Sequence, residues 1–218
     1  MRKIFIDLEM NPIKTVWTTS GRRVKNEIIE IGAVMLDEDD MEISSFDEYV
    51  RPVKNEYIVD KISRLTGINT RTVMKADPLP NVLKRFLQWC GDDYVIYSWS
   101  ESDYIQLSKE VELKNITSKD FEGLERLLMP ETWKDYQIEY MNHFNFERLM
   151  SLKDAINMAG LDFQGRAHGA LADARNTSYL YQEAKSSRFS QMMKEIRAGR
   201  EEFTVSLGAL FDFSQLAG

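Results

Sequence analysis

The stretch IFIDLE, residues 4–9, predicts a strand that carries two carboxylates. Its apolar run, Ile4 to Ile6, predicts a β-strand. Because alternate residues of a strand point to one face, Asp7 and Glu9 project together. Two carboxylates on one face repel each other and lose hydration, and a divalent cation between them would remove that cost. A short Asp-x-Glu pattern is also typical of an acidic turn exposed to solvent, so the rest of the chain must distinguish the two interpretations.

Length and composition predict one globular domain with an extension. The chain has 218 residues, of which 43% are hydrophobic and 29% charged. It contains no apolar run of membrane-spanning length, and acidic residues interrupt its N-terminal apolar segment, so we expect neither a membrane span nor a signal peptide. The single cysteine, Cys90, cannot form an internal disulfide and is expected to be an ordinary packed thiol. These features favour a cytoplasmic protein.

The overall charge argues against one class of function. A net charge of −7 and a pI near 5.1 would repel a polyanion, which disfavours tight, non-specific coating of duplex nucleic acid. An enzyme that gathers carboxylates around metal ions can nevertheless be acidic and still bind a nucleic-acid end through those ions. Nucleic acid therefore stays open as a substrate.

Hydrophobic periodicity predicts a mixed α/β fold. Residues 28–36 and 43–50 are expected to form an antiparallel pair beside the first strand, and residues 94–99 a further strand. Polar loops are expected at Asn11-Pro12 and at residues 18–23. Helices are expected at 62–68 (ended by Gly67), 82–87, 102–111, 152–159 and 169–183, and an irregular aromatic segment at 136–146. Strands followed by strand-helix alternation predict a mixed sheet with helices on its faces.

Three further residues carry potential chemistry, although each has an ordinary structural explanation. Asp103 falls in the first turn of a predicted helix that Ser100 or Ser102 could cap, and there the helix dipole favours an anion. His168 and Asp173 are five residues apart, about 140° out of phase on a helix. We therefore place His168 in the loop before the helix, from which its ring can reach the site that Asp173 faces.

Together these residues resemble the three sequence blocks of the DEDDh branch of 3′-5′ exonucleases. The blocks are Asp7-x-Glu9, SDYIQL at 102–107 and HGALADARNT at 168–177, and the flanks EIIEIGAV at 27–34, LTGI at 65–68 and GRAH at 165–168 agree. The likeness spans about Lys3 to Glu183. Within that branch the chain looks most like RNA-trimming exonucleases of the histone-message and RNA-interference type and their sporulation-inhibitor-type bacterial relatives.

The resemblance implies a ribonuclease-H-like fold and a two-metal site. It implies that Asp7 bridges two divalent ions, that Glu9 and Asp173 complete the shell of one ion, and that Asp103 holds the other. It also implies that His168 is the general base. Carboxylates suit Mg²⁺ or Mn²⁺, and two such ions can stabilise the attacking and leaving oxygens of a phosphoryl displacement. The terminal bases are expected to lie against Met10 and Leu65.

The expected function is a 3′-5′ exonuclease that releases nucleoside 5′-monophosphates from single-stranded ends, with RNA favoured over DNA on the subgroup resemblance. One alternative is a catalytically silent module that binds RNA or a protein. Competent residues at all five catalytic positions count against it. Another alternative is a proofreading exonuclease that accompanies a DNA polymerase.

The exonuclease domain is expected to cover residues 1–185 and a C-terminal extension residues 186–218. The extension is too apolar for a typical disordered tail, with hydrophobic residues recurring from Phe203 to Leu216. We expect it to pack on its own domain. A protein partner or a second subunit of a homo-oligomer is the alternative.

Overall fold

The fold is built on one mixed β-sheet, and the computed structural model describes residues 1–119 and 121–195. The strands are β1 (Arg2–Trp17), β2 (Arg23–Leu36), β3 (Glu42–Arg51), β4 (Asp77–Pro78), β5 (Tyr94–Ser98) and β6 (Trp133–Asp135). The helices are α1 (Asp60–Thr66), α2 (Thr70–Val73), α3 (Leu79–Cys90), α4 (Ser102–Leu113), α5 (Leu124–Leu128), α6 (Tyr136–His143), α7 (Leu152–Met158) and α8 (Ala170–Ala184), with a 3₁₀ turn at Pro130–Thr132.

The strands follow the order β4-β3-β2-β1-β5-β6 across the sheet. β2 pairs antiparallel with β1 and with β3, whereas β5 runs parallel to both β1 and β6. The short β4 extends the sheet in parallel to β3. The predicted α/β class, with three antiparallel strands followed by parallel strands, is confirmed.

The two faces of the sheet differ because β1 alternates apolar and acidic residues. Ile4, Ile6 and Leu8 belong to the main hydrophobic core, to which α3, α4 and α5 contribute. Asp7 and Glu9 alternate with these residues and therefore project from the opposite face. Burial of the apolar face fixes the direction in which the two carboxylates point, because a slip of one residue would place them in the hydrophobic core instead.

β1 is longer than predicted. The loop expected at Asn11-Pro12 is wrong, because the strand continues to Trp17. Asn11 is fully buried: its amide donates to carbonyls in the segment 55–57, and its oxygen accepts a hydrogen bond from the N–H of Val59. Pro12 lies where the pairing with β2 changes register, a position at which a missing N–H is tolerated. A turn-forming residue pair is thus held in a strand by long-range contacts.

The irregular segment predicted at residues 136–146 is also wrong, since α6 occupies most of it. Asp135 caps this helix by accepting a hydrogen bond from a backbone N–H three residues later, at 2.9 Å. Tyr136, Tyr140 and Phe144 recur every four residues and are buried. This spacing places the three rings on one helical face, so aromatic packing and the cap together account for the helix.

α4 begins without the predicted serine cap. The residue before it is Glu101, whose side chain makes no capping hydrogen bond. Ser100 and Ser102 instead pair their hydroxyl groups at 2.6 Å. Asp103 nevertheless lies in the first turn of α4, as predicted, where the helix dipole favours its negative charge.

Helices α1, α3, α7 and α8 lie where the sequence predicts helices. Gly67 ends α1 with φ of 83°, and its N–H donates to the carbonyl of Ser63 at 2.9 Å, as glycine does at many helix ends. α8 is the longest helix for which the structure gives both ends, at 15 residues. Over the described part of the chain, no helix combines the length and apolar character needed to cross a membrane.

Side chains of α4 cover an edge of β2 that β3 leaves open. The pairing of β3 with β2 stops at Glu30. Beyond that point Gln106 donates to the carbonyl of Asn26 at 2.9 Å, and Glu110 accepts a hydrogen bond from the N–H of Ile28 at 2.8 Å. An uncovered edge invites pairing with another chain, so these contacts protect β2 as well as fixing α4.

Glu110 makes stability depend on pH. Burial raises its pKa to about 7, although Lys114 lies 3.3 Å from its carboxylate. The folded protein therefore holds a proton that the unfolded chain releases, and this group makes the free energy of unfolding fall as pH rises from about 4.5 to about 7. We expect Glu110→Gln to remove about 3 kcal/mol of that decrease, measured by urea unfolding at either end of the range.

The matched control for this experiment is Glu131→Gln, which removes an exposed carboxylate. It should leave the pH dependence as it is in the wild-type protein. A Glu110→Gln protein whose stability falls with pH as steeply as that of the wild type would contradict the prediction.

The chain divides between Leu180 and Tyr181 into two compact units. In the second unit the structure describes residues 181–195, in which Phe189 and Met193 are buried and four positions apart in a helical stretch. The apolar residues from 203 onward, on which the predicted packing of the C-terminal extension depends, lie outside the described residues. The predicted domain limits at residues 185 and 186, and that packing, therefore stay predictions.

Candidate active site

Asp7 and Glu9 lie on the central strand, just past the point where β5 leaves it. The parallel pairing of β1 with β5 ends at Phe5 and Tyr97, two residues before Asp7. Open α/β sheets bind ligands at such carboxyl ends, because the departing chain leaves a crevice there. The chain that leaves β5 enters α4, which supplies Asp103.

Asp103 is anchored directly to β1. Its Oδ1 accepts a hydrogen bond from the N–H of Leu8 at 3.1 Å, and its side chain is 5% exposed. Because Leu8 lies between Asp7 and Glu9, this bond holds the third carboxylate beside the first two. The sequence predicted that Asp103 lies in a helix but did not predict its contact with β1.

His168 and Asp173 come from the start of α8. His168 lies in the loop before the helix, as predicted, with φ of 63°, and its side chain is exposed. Its backbone N–H donates to Oδ1 of Asp173 at 3.3 Å. Ligand atoms of Glu9, His168 and Asp173 all lie within 4.8 Å of one another. The structure therefore brings the third sequence block against the first.

All four carboxylates of this cluster have raised pKa values. Burial is the largest cause for each group, and the neighbouring negative charges add to it at Asp7, Glu9 and Asp103. The pKa of Asp7 lies well above its usual range, that of Glu9 rises to about 8 and that of Asp103 to about 7. Burial raises the pKa of Asp173 to about 6, against a smaller opposing effect of His168. The cluster disfavours its own negative charge.

The donor set fits a hard divalent cation. Asp7, Glu9, Asp103 and Asp173 offer carboxylate oxygens, which Mg²⁺ and Mn²⁺ prefer as ligands. The four charged groups with the largest effects on the pKa of Asp7 are Asp103, Asp173, Glu9 and Glu30, all of them carboxylates that raise it. A bound divalent cation would supply the missing positive charge.

Glu30 and Gly32 position α8, a role that the sequence analysis missed. Oε2 of Glu30 accepts a hydrogen bond from the N–H of Ala170 at 2.9 Å, at the first turn of α8. A Cβ on Gly32 would lie 2.0 Å from the backbone nitrogen of Leu171. Glu30 stands directly opposite Glu9 in the pairing of β1 with β2, and that register, once known, would have indicated its place beside the site.

The two predicted base-contacting residues lie in different surroundings. Met10 is partly buried and packs against the main core. Leu65, near the end of α1, is 41% exposed, and its carbonyl lies 3.5 Å from the guanidinium of Arg166, which also donates to the carbonyl of Arg64 at 3.0 Å. Arg166 thus links the end of α1 to the loop that carries His168. The role of Met10 and Leu65 in substrate binding stays a prediction.

Comparison with known proteins agrees with this geometry. Residues 4–181 match the Exonuclease (RNase_T) family. ERI1 exoribonuclease 2 of Xenopus laevis is 30% identical over 201 residues, which cover 81% of this chain and 27% of that protein. Human 3′-5′ exoribonuclease 1 is 30% identical over 170 residues, which cover 71% and 45%. The chain spans less than half the length of these curated relatives.

Solved structures give the same fold. The nuclease domain of 3′hExo, a DEDDh family member bound to rAMP, has a TM-score of 0.69 and 25% identity, covering 84% of this chain and 90% of that one. A 3′-exonuclease described in 3′-end specific recognition of a histone mRNA stem-loop shares the fold with a TM-score of 0.70 and 22% identity, covering 84% and 80%. The predicted ribonuclease-H-like fold and DEDDh resemblance are confirmed, and the chain belongs to the Exonuclease (RNase_T) family.

Proposed function

We propose that this chain is a metal-dependent 3′-5′ exonuclease that releases nucleoside 5′-monophosphates from single-stranded 3′ ends. The observation that carries the proposal is the meeting of Asp7, Glu9, Asp103 and Asp173 with the exposed His168 at one end of the central strand. Perturbed carboxylates in a crevice are typical of functional sites. Buried carboxylates that repel one another destabilise the folded state, and a bound cation would offset that cost.

Each residue of the cluster has a distinct proposed role. Asp7, Glu9 and Asp173 would hold one Mg²⁺ or Mn²⁺, and Asp7 with Asp103 a second. Two such ions stabilise the attacking and leaving oxygens of an in-line displacement at phosphorus. His168 accepts a proton from the attacking water on its imidazole, which the exposed position of the ring permits. The hydrogen bond from its backbone to Asp173 keeps this residue at the carboxylates.

RNA is the favoured substrate. The support is the activity for which the relatives are named, since they are exoribonucleases. Leu65 and Met10 are proposed to contact the terminal bases, and the 41% exposure of Leu65 near the end of α1 leaves it free to do so. Discrimination against DNA requires a contact with the 2′-hydroxyl of the terminal nucleotides.

The proposed function predicts loss of activity when His168 is replaced. We expect 5′-labelled single-stranded RNA to shorten from its 3′ end in the presence of Mg²⁺ or Mn²⁺, and EDTA to stop the reaction. His168→Ala should lower kcat by about 10² to 10⁴, the usual contribution of a general base. The assay follows product length on a gel, with a DNA oligomer of the same sequence in parallel.

The chain supplies a matched control in its only other histidine, the exposed His143 at the end of α6. His143→Ala should degrade RNA at the wild-type rate. Faster degradation of the DNA oligomer would overturn the substrate assignment alone. Intact oligomers of both kinds with the wild-type protein would overturn the proposed activity and favour a binding module.

A further inference from the structure

β1 and β2 continue past the sheet as a two-stranded hairpin, residues 12–26, which we call the arm. The turn between the strands is closed by hydrogen bonds from the N–H of Thr18 to the carbonyl of Arg22 at 2.9 Å and from the N–H of Gly21 to the carbonyl of Thr18 at 3.0 Å. β3 pairs with β2 only as far as Glu30, so it does not support the arm. An isolated hairpin is marginally stable in water, and the arm therefore needs another anchor.

Glu112 of α4 supplies that anchor. Its carboxylate accepts hydrogen bonds from the backbone N–H of Ser20 at 2.6 Å and from the hydroxyl groups of Ser20 and Thr19. Arg22 donates two hydrogen bonds to the same carboxylate, at 2.9 and 2.6 Å, and another to the carbonyl of Ser108. The guanidinium of Arg22 is thus engaged with α4, and the arm is held in one orientation.

The side of the arm that faces away from α4 carries an aromatic ring and two positive charges. Trp17, at 62% exposure, is paired directly with Arg23, and Lys25 follows two residues later in β2. Arg23 and Lys25 are exposed, whereas Val24 between them is buried. Residues that alternate in a strand share a face, and a cross-strand pair does so too. Trp17, Arg23 and Lys25 therefore form one surface, the arm face.

The arm face continues the face of the sheet that holds the carboxylates. At the bulge in β2, Ile28 pairs with Met10 and belongs to the core on the other face. Counting along β2 from Ile28, Val24 falls on the core face and Arg23 and Lys25 fall on the face of Asp7 and Glu9. Arg23 and Glu30 are seven positions apart in β2, about 23 Å of strand.

We propose that the arm face binds single-stranded RNA on the 5′ side of the end being hydrolysed. This inference rests on the proposed function. Trp17 stacks on a base, and Arg23 and Lys25 contact phosphates, the combination by which proteins bind single strands without sequence preference. The protein carries a net charge of −7 and repels a polyanion over most of its surface. The positive charges of the arm face offer RNA a local binding surface outside the metal site.

The test is a binding measurement in EDTA, in which hydrolysis does not occur. Fluorescence anisotropy gives the Kd of an unstructured RNA of about 16 nucleotides, long enough to reach from the carboxylates to the arm, and of a trinucleotide. Trp17→Ala should raise the Kd of the long RNA about tenfold and leave that of the trinucleotide unchanged. Trp17→Phe, which keeps a stacking ring, should restore most of the affinity.

The positive charges are tested by salt dependence. Lys25→Gln should reduce the slope of log Kd against log salt by about 0.7 for the long RNA, the value for one phosphate contact on a single strand. The matched control, Lys84→Gln, removes one exposed lysine from α3, which packs on the core face, and should leave the slope unchanged.

Wild-type Kd values and slopes in Trp17→Ala and Lys25→Gln would overturn the inference. Equal losses for the long RNA and the trinucleotide would also overturn it, since they would show an effect on the catalytic centre or on folding. Because binding is read without hydrolysis, a protein that binds the long RNA through the arm face and degrades no oligomer would refute the proposed activity alone.

Discussion

Asp7→Asn raises the melting temperature of the metal-free protein and lowers its hydrolysis of RNA by at least about 10³-fold. The stability effect follows from the cost of a buried charge: burial first, and then the charges of Asp103, Asp173 and Glu9, hold the pKa of Asp7 far above its usual range. Asparagine has nearly the same shape and no charge. Each 1 kcal/mol of stabilisation raises the melting temperature of a chain of this size by about 2 to 4 °C, so relief of this cost is measurable.

The loss of activity also follows from removal of the negative charge of Asp7. Asp7 is proposed to contact both ions, so its replacement weakens the electrostatic stabilisation of the reacting phosphate. Thermal unfolding with Mg²⁺ links the two effects, because a ligand that binds only the folded state raises its stability. Excess Mg²⁺ should therefore stabilise the wild-type protein and have little effect on Asp7→Asn.

Differential scanning fluorimetry in EDTA and in Mg²⁺ measures both changes. The matched control is Asp39→Asn, which removes an exposed carboxylate from the turn between β2 and β3. It should melt like the wild type under both conditions. An Asp7→Asn protein that melts below the wild type in EDTA would show that the buried charge of Asp7 does not destabilise the metal-free protein.

The first sequence block predicted its own geometry because it depends on local periodicity. Alternation along β1 buries Ile4, Ile6 and Leu8, and that burial alone directs Asp7 and Glu9 to the other face. Similarly, the five-residue spacing predicted that His168 precedes α8.

Local periodicity does not predict contacts between distant segments of the chain. Asn11-Pro12 carries turn-forming residues, yet the buried hydrogen bonds of Asn11 to residues 55–59 keep it in β1. Glu30 lies in a predicted strand, and nothing in the nearby sequence indicates that its carboxylate accepts a hydrogen bond from the N–H of Ala170, 140 residues away. Register and long-range hydrogen bonds therefore had to come from the structure.

Gly32→Ala is expected to lower kcat by about 10²-fold or more while the protein stays folded. The added Cβ would lie 2.0 Å from the nitrogen of Leu171 and 2.2 Å from the carbonyl carbon of Ala170. Both are backbone atoms, so no side-chain rotation relieves the clash and the start of α8 must move. That movement displaces Asp173 and His168 from Glu9, and a misplacement of about 1 Å at reacting groups costs about 10²-fold in rate.

The same substitution should cost only about 1 to 3 kcal/mol in stability, because it strains one contact and leaves the main core on the other face of the sheet intact. Gly169→Ala is the matched control. Its Cβ would meet the carbonyl oxygen of Arg166 at 3.5 Å, an ordinary contact, so it should reduce kcat far less. Circular dichroism and thermal unfolding establish that both variants are folded, and the RNA assay gives kcat.

A second variant separates displacement of α8 from general strain. Glu30→Ala removes the acceptor for the N–H of Ala170 without adding an atom, and Glu30→Gln keeps an oxygen at that place. If the position of α8 controls the reaction, Glu30→Ala should lower kcat as Gly32→Ala does, and Glu30→Gln should retain most of it. Wild-type kcat in both Gly32→Ala and Glu30→Ala would mean that α8 can shift on β2 without moving Asp173 away from Glu9.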